Sequence, residues 1–350
     1  MISAFYGSLY PNPNPAVPSF KPTLDDALVS QIQDSGFTTV ILGLFHVAGN
    51  PQPAPPPATH LLGDIIFNQG PSVVSGGVIQ TSAVGTDPSS DWAHYLNALK
   101  STGSVDKIYL SFGGGSPVED FTLIISSFLQ YLDPTTSCGP YIPCNSSLYL
   151  NFQALRTYLP MVDGIDIDQE EGTDSSYIDA MTAFGIMARS VGFGEITYAP
   201  PFDSTLAAYQ AAAQAINAFA LQSASLTIGG TVYPYSDFAY PAGSAPTPAS
   251  LPGFSTRLGL QYYSGGFEST DVASWLTAAT AIGSAGGGNA PQLLIGASGW
   301  YSNPPGNMVA FFQQYPDPAW AGGFIWDFNA ITGNLSGYQN AIQTGLKPPC

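Results

Sequence analysis

The residues that could do chemistry are concentrated in Asp163–Glu171, which reads DGIDIDQEE and places five acidic side chains in nine positions. Only 9% of the chain is charged, so this density needs a reason. Clustered carboxylates can pass protons, ligate a hard cation, or stand in solvent. Strand periodicity sorts them: Asp166, Asp168 and Glu170 are spaced by two and share one face, while Ile165, Ile167 and Gln169 share the other. With apolar residues on either side, that acidic face is expected to point inward, where unpaired acids are costly and repel one another. Crowding of this kind pushes at least one pKa upward and keeps a carboxylic acid protonated near neutral pH, as a proton donor must be. Glu170 lies nearest the C-terminal end of the strand and is the candidate acid. Asp168 is placed to tune it. Asp163, out of phase at the other end, reads as structural, and Glu171 falls outside the stack. A solvated acidic edge and a divalent-metal site remain as alternatives, although one strand is an awkward source for ligands usually drawn from several elements.

The rest of the chain must position this strand. Short apolar runs alternate with helical patterns along it: strands at 2–9, 38–47, 107–114, 162–170, 195–201, 257–264, 292–300 and 322–329. Between them lie helices such as TLDDALVSQIQDSG, with Thr23 as cap and Gly36 as stop, and SSYIDAMTAFGIMARSVG, with Gly192 as stop. Strands that are apolar throughout are those covered on both faces. Eight such units predict an α/β fold, a (β/α)8 TIM barrel forming one domain over residues 1–350. No GxGxxG turn follows the first strand, which counts against an open dinucleotide-binding sheet. Two segments exceed an ordinary connection and read as insertions in the βα loops, at about 48–90 and 223–256; the first is expected to hold a hairpin around FNQGPSVVSGG.

Acids outnumber bases 24 to 7, for a net charge of −17. Too few cations are present to neutralise phosphates, so nucleic acid and anionic membrane surfaces are not expected as partners. The charge suits a neutral or cationic partner, or solubility alone. No apolar run approaches the ~20 residues that span a bilayer. Cys138 and Cys144 bracket the short Gly/Pro loop SCGPYIPC; a disulfide there would fit a secreted, extracellular chain, and two free thiols are the alternative. Neither the cysteines nor His46, His60 and His94 show metal-ligand spacing. No metal or cofactor is expected.

At this point the residues resemble a known signature. Asp163-Gly164-Ile165-Asp166-Ile167-Asp168-Gln169-Glu170 matches the pattern DGxDxDxE of glycoside hydrolase family 18, which includes chitinases and endo-β-N-acetylglucosaminidases on (β/α)8 barrels. Ser111–Gly115 (SFGGG) is similar to that family's SxGG at the end of the third strand. Gln261–Tyr263 (QYY) resembles its sixth-strand segment, and GGFIWDF its eighth strand, whose tryptophan, here Trp326, floors the reacting sugar. The resemblance implies a retaining, substrate-assisted hydrolase of β-1,4-linked N-acetylglucosamine. Glu170 would be acid and then base, Asp168 would hold the substrate acetamido N–H, and Tyr263 would donate to its oxygen. Asp166 would share a proton or hydrogen bond with Asp168, and Ser111 would steady the stack. Trp326, Gln261, Tyr198, Tyr6 and Trp300 are the candidates for holding the sugar; for each aromatic, plain core packing is the competing account. The expected partner is a polysaccharide or glycan containing N-acetylglucosamine, met by a monomer. Chitin comes first and the chitobiose core of N-glycans second; a non-catalytic carbohydrate-binding relative or a storage protein is the rival from another class. Two positions depart from the family pattern: Ser264, where relatives often carry Asp or Asn, and Gln169, where they often carry a hydrophobic residue.

Overall fold

The computed structural model describes residues 1–9, 24–49, 60–68, 70–115, 120–131, 147–220, 226–228, 231–233, 255–264, 271–299 and 304–347. Eight strands run parallel: β1 (Ile2–Gly7), β2 (Thr39–Val47), β3 (Lys107–Gly113), β4 (Gly164–Asp168), β5 (Glu195–Tyr198), β6 (Ser255–Leu260), β7 (Gln292–Ser298) and β8 (Trp320–Trp326). Each pairs with the next, and β8 pairs with β1, so the sheet closes. Helices follow the strands on the outside, making a (β/α)8 barrel.

The strands divide their residues by phase. Phe5, Val40, Leu42, Ile108, Leu110, Phe112, Ile165, Ile167 and Ile196 are buried in the core between strands and helices. Ala4, Tyr6, Ile41, Tyr109, Ala199, Leu294 and Phe324 form a separate cluster inside the barrel. Large and small residues alternate in that interior: a Cβ on Gly296 would stand 2.2 Å from the Phe324 ring, so that ring occupies space a larger residue would need.

Helix starts follow cap chemistry. The first helix, Asp26–Asp34, begins at the Asp25 cap, which accepts the Leu28 N–H, rather than at Thr23, which lies outside the described residues. Asp91 and Asp174 cap the helices Trp92–Ser101 and Ser175–Ser190 in the same way. Gly36 and Gly192 adopt the positive φ that ends a helix.

The first insertion does hold antiparallel strands. Ile65–Phe67 pairs with the C-terminal end of β2 and with Ser72–Ser75, which in turn pairs with Val78–Ile79. Asn151 on the helix Ser147–Tyr158 fixes it, donating to the Gly63 carbonyl (2.7 Å) and accepting the Gly77 N–H (2.7 Å). In the second insertion Leu226–Ile228 pairs antiparallel with Thr231–Tyr233. Cys138, Cys144, Cys350, Trp300 and the PQPAPPP tract lie outside the described residues.

The N-terminal end of the barrel is closed by ions. Asp163 takes Lys100 (2.8 Å), Lys107 (3.4 Å) and the Ile108 N–H (2.8 Å). Glu195 accepts from Lys107 (2.5 Å) and from the Tyr109 hydroxyl (2.5 Å). Burial would raise the Glu195 pKa, but these donors outweigh it and hold the carboxyl below its ordinary value. Arg257 stacks over the Tyr109 ring at 5.2 Å and donates to Thr39. Asp163 is structural, as its phase indicated.

Candidate active site

Inside the upper barrel the acids climb one face of β4 toward the mouth. Asp166 is fully buried, Asp168 is 5% exposed, and Glu170, just past the strand end, is half-buried. Parallel register builds the deepest level: Ser111 on β3 and Thr197 on β5 stand opposite Asp166. Both hydroxyls donate to it, at 2.8 Å and 2.5 Å, and Tyr6 adds a third hydrogen bond from β1. Burial is the largest influence and pushes Asp166 up to about 6, against the pull of these donors.

At the next level Asp168 stands opposite Gly113. A Cβ on Gly113 would fall 2.1 Å from the Asp168 carbonyl oxygen, which instead accepts the Gly114 N–H at 2.6 Å. Gly113 also has φ +111, a conformation that favours glycine. The SFGGG segment therefore has a steric function: it lets β3 close on the acidic strand. Burial, then the charges of Glu170 and Asp166, push the Asp168 pKa well above the ordinary carboxyl value, with Gln261 pulling the other way. Asp168 and Glu170 are hydrogen-bonded to each other. Gly115 leaves room for Glu170, since a Cβ there would sit 2.9 Å from Oε2.

Gln261 and Tyr263 complete the cluster from β6, though not from the strand itself. β6 ends at Leu260, and residues Tyr262–Ser264 form a 3-10 turn rather than the strand extension expected from the sequence. Within the turn Tyr263 points back over the barrel and donates to Gln261 Oε1 at 2.9 Å. Burial and then the charges of Asp168 and Glu170 raise its pKa. Trp326, the last residue of β8, is half-buried; it packs on the interior cluster with its ring 6.2 Å from that of Tyr6.

Tyr198 does not join this group. Thr197 and Ala199 take the inner phase of β5, so Tyr198 turns outward. There its hydroxyl meets Ser255 (2.9 Å) and its ring lies 6.0 Å from Tyr209. Its assignment as a sugar contact is corrected accordingly. Tyr262 also faces out, against Tyr315 and Trp320. Glu171 stays outside the stack, accepting the Phe121 N–H (2.8 Å) at the start of helix Asp120–Tyr131.

Sequence reasoning missed two participants, Thr197 and Tyr209, and the contacts of a third, Gln261, which it had named only as a sugar contact. Thr197 could have been found by pairing β5 with β4 in register. The bridging contacts of Gln261 depend on where the turn places its amide. Tyr209, whose hydroxyl both accepts the Gln169 N–H (2.8 Å) and donates to the Gln169 carbonyl (2.9 Å), sits on helix Leu206–Ala220 with no local signal.

Among the described residues no group of three or more His, Cys, Asp or Glu is arranged to hold a metal ion. No model of a known protein family matches the sequence, and no curated protein matches it. Solved structures do align. One is a class V chitinase from Nicotiana tobaccum, 12% identical, with 97% of this chain and 98% of that chain covered at a TM-score of 0.45. Another is a glycoside hydrolase family 18 N-acetylglucosaminidase from Paenibacillus barengoltzii, 12% identical, with 99% of each chain covered at a TM-score of 0.46. Likeness at this level carries no weight for activity, and the barrel stands on its own strand pairings.

Chemically, the cluster offers a proton store sealed from water below and an acid open to the mouth above. The Tyr263 phenol and the Trp326 ring both pack on the interior cluster of the barrel. That combination can protonate a leaving group and hold a polar ring against an apolar floor.

Proposed function

We propose that the protein is a retaining glycoside hydrolase that uses the substrate's own 2-acetamido group as nucleophile, with β-1,4-linked N-acetylglucosamine as its substrate and chitin as the first choice. The observation that carries this reading is the stack of Asp166, Asp168 and Glu170, graded from buried to accessible, facing Tyr263 at the mouth. A pair of separated carboxylates, one acid and one nucleophile, is the usual requirement for retention; when the substrate supplies the nucleophile, a single accessible acid suffices.

In this mechanism Glu170 protonates the glycosidic oxygen. The acetamido carbonyl oxygen attacks the anomeric carbon, the bond to the leaving sugar breaks, and a cyclic oxazolinium forms. Asp168 accepts a hydrogen bond from the acetamido N–H and offsets the positive charge. Tyr263 turns its hydroxyl from Gln261 to the acetamido oxygen. Glu170, now a carboxylate, takes a proton from the incoming water, which opens the oxazolinium from the face the leaving group occupied. Trp326 supplies the apolar floor, and Ser111, Thr197 and Tyr6 hold Asp166 beneath.

Charge placement fits a neutral or cationic glycan. Lys100, Lys107, Arg156, Arg189 and Arg257 all lie near strand N-termini or helix C-termini, at the end of the barrel opposite the mouth. An acidic mouth disfavours anionic polymers.

Incubation with N-acetylglucosamine oligomers and, separately, with a high-mannose glycoprotein, read by mass spectrometry, tests the proposal. Shortened oligomers support the chitinase reading. Release of glycans that leave one N-acetylglucosamine on the protein supports the endoglycosidase alternative. Intact substrates in both arms refute the hydrolase.

A further inference from the structure

Gln261 was a candidate sugar contact, yet its side chain is 4% exposed and its bonds run to the acids themselves. Its amide nitrogen lies 2.8 Å from Asp168 Oδ1, 3.1 Å from Glu170 Oε1 and 2.7 Å from the Ala199 carbonyl oxygen. Its amide oxygen accepts the Tyr263 hydroxyl at 2.9 Å. A primary amide carries two N–H donors on one arm and an acceptor oxygen on the other. The Ala199 carbonyl, which can only accept, therefore decides the orientation, since it requires the amide nitrogen on its side. Reversed, the amide would set its oxygen against two carboxylate oxygens.

From these contacts we infer that Gln261 is a positioning residue: it clamps Asp168 and Glu170 side by side and sets the pH range over which the pair shares a single proton. The inference deepens, and rests on, the glycosidase reading of the same site.

Two acids this close repel when both are ionised, and they lose their protons in steps that belong to the pair. Hydrogen bonds donated to the charged form favour that form and lower both steps. The other groups bearing on the pair come from each element packed around it. They are Asp166 on the same strand, Tyr6 from β1, Tyr209 from helix Leu206–Ala220 and Tyr263 from the turn after β6. Asp327, beyond β8, acts on Tyr263. The Asp166 charge raises Asp168, and the phenols, neutral over this range, add no charge of their own. The Gln261 N–H donors oppose the Asp166 charge. The same amide engages the Tyr263 proton until a substrate oxygen takes it, so the clamp also holds the phenol poised.

The test uses Gln261→Met, which keeps the length of the side chain and removes both donors, and Gln261→Glu, which keeps an acceptor and regains one donor only when protonated. Full-length protein with 13C-labelled Asp and Glu carboxyls is titrated by NMR. In Gln261→Met the coupled Asp168–Glu170 titration should move up by about one pH unit. With N-acetylglucosamine oligomers, both limbs of the kcat/KM profile should move up with it, and kcat should fall more than KM changes. Gln261→Glu should narrow the active range from its alkaline side. An unmoved carboxyl titration in Gln261→Met, with a raised KM and an unmoved profile, overturns the clamp and makes Gln261 a substrate contact. Should wild-type protein cleave no glycan, the glycosidase reading fails by itself. The carboxyl titration then still decides the clamp, since a shift supports it and no shift overturns it. Should Gln261→Met fail to fold, the Gln261→Glu titration decides in its place: a third acid coupled to the pair supports the clamp, and an unchanged pair overturns it.

Discussion

Replacing Asp166 with Asn should shift stability in favour of the variant as pH rises from acidic to neutral, by an amount set by the Asp166 carboxyl. Asp166 is fully buried, and burial moves its carboxyl from 3.8 to about 6. A group raised in the folded state binds its proton more tightly there than in the unfolded chain. Below the unfolded value both states are protonated and Asp166 costs nothing extra. As pH rises from about 4 to about 6 the unfolded chain ionises first, and stability is lost until the folded group has ionised as well. A shift of about two units at about 1.36 kcal/mol each gives a loss of about 3 kcal/mol. Asn is neutral throughout and escapes it. Urea unfolding of wild-type protein and Asp166→Asn, run from about pH 3.5 to about pH 7.5, measures the difference. Any penalty from the amide itself, which must face the Ser111 and Thr197 hydroxyls, is constant with pH and drops out. The stability gap should open in favour of the variant by about 3 kcal/mol on going from the acidic to the neutral end. Loss of the Asp166 charge also relieves Asp168, which adds in the same direction. A gap that stays flat, or closes with rising pH, would refute the claim that this acid is held at a cost to the fold.

Three further outcomes follow from contacts at the site. Gln169 is 1% exposed and, among the described residues, neither atom of its amide has a hydrogen-bond partner, so Gln169→Met should stabilise by about 1–3 kcal/mol. At about 2.1 cal/mol/K per residue this raises the calorimetric Tm by about 1–4 °C; a lower Tm would mean the amide is satisfied. Gly113→Ala forces a Cβ to within 2.1 Å of the Asp168 carbonyl oxygen and should cost several-fold in soluble yield; normal expression and an unchanged Tm would contradict the close approach. Tyr263→Phe removes the phenol hydroxyl that meets Gln261 beside the stack and should lower kcat about 10²–10³-fold with a smaller change in KM; an unchanged kcat removes Tyr263 from the chemistry.

The fold was legible because each barrel strand is a short apolar run bounded by breakers, and the alternation of eight such runs with helices leaves few closures. The acidic face was legible because a period of two needs no tertiary information: Ile165 and Ile167 went out and Asp166 and Asp168 went in. What the sequence could not supply was phase on strands without a charge to mark it. Tyr198 lies near a strand end and is aromatic, but only its register with β4 reveals that Thr197 holds the inner position. Strand ends were blurred for a related reason. Tyr262 and Tyr263 suit a strand by propensity, yet the chain turns after Leu260, and that turn aims Tyr263 at the cavity and Tyr262 away from it. The Gln261 bridge depends on side chains more than ninety residues apart in sequence, which no local pattern encodes.

The most direct test of the central claim is the turnover of N-acetylglucosamine oligomers by Glu170→Gln beside wild-type protein, with far-ultraviolet circular dichroism showing both folded. The amide keeps the size of the side chain and its place beside Gly115 but has no acidic proton to give the leaving oxygen. Loss of a positioned general acid costs about 10²–10⁴-fold, so the account predicts a fall in kcat of at least that order with oligomer binding retained. Wild-type turnover in Glu170→Gln would contradict it.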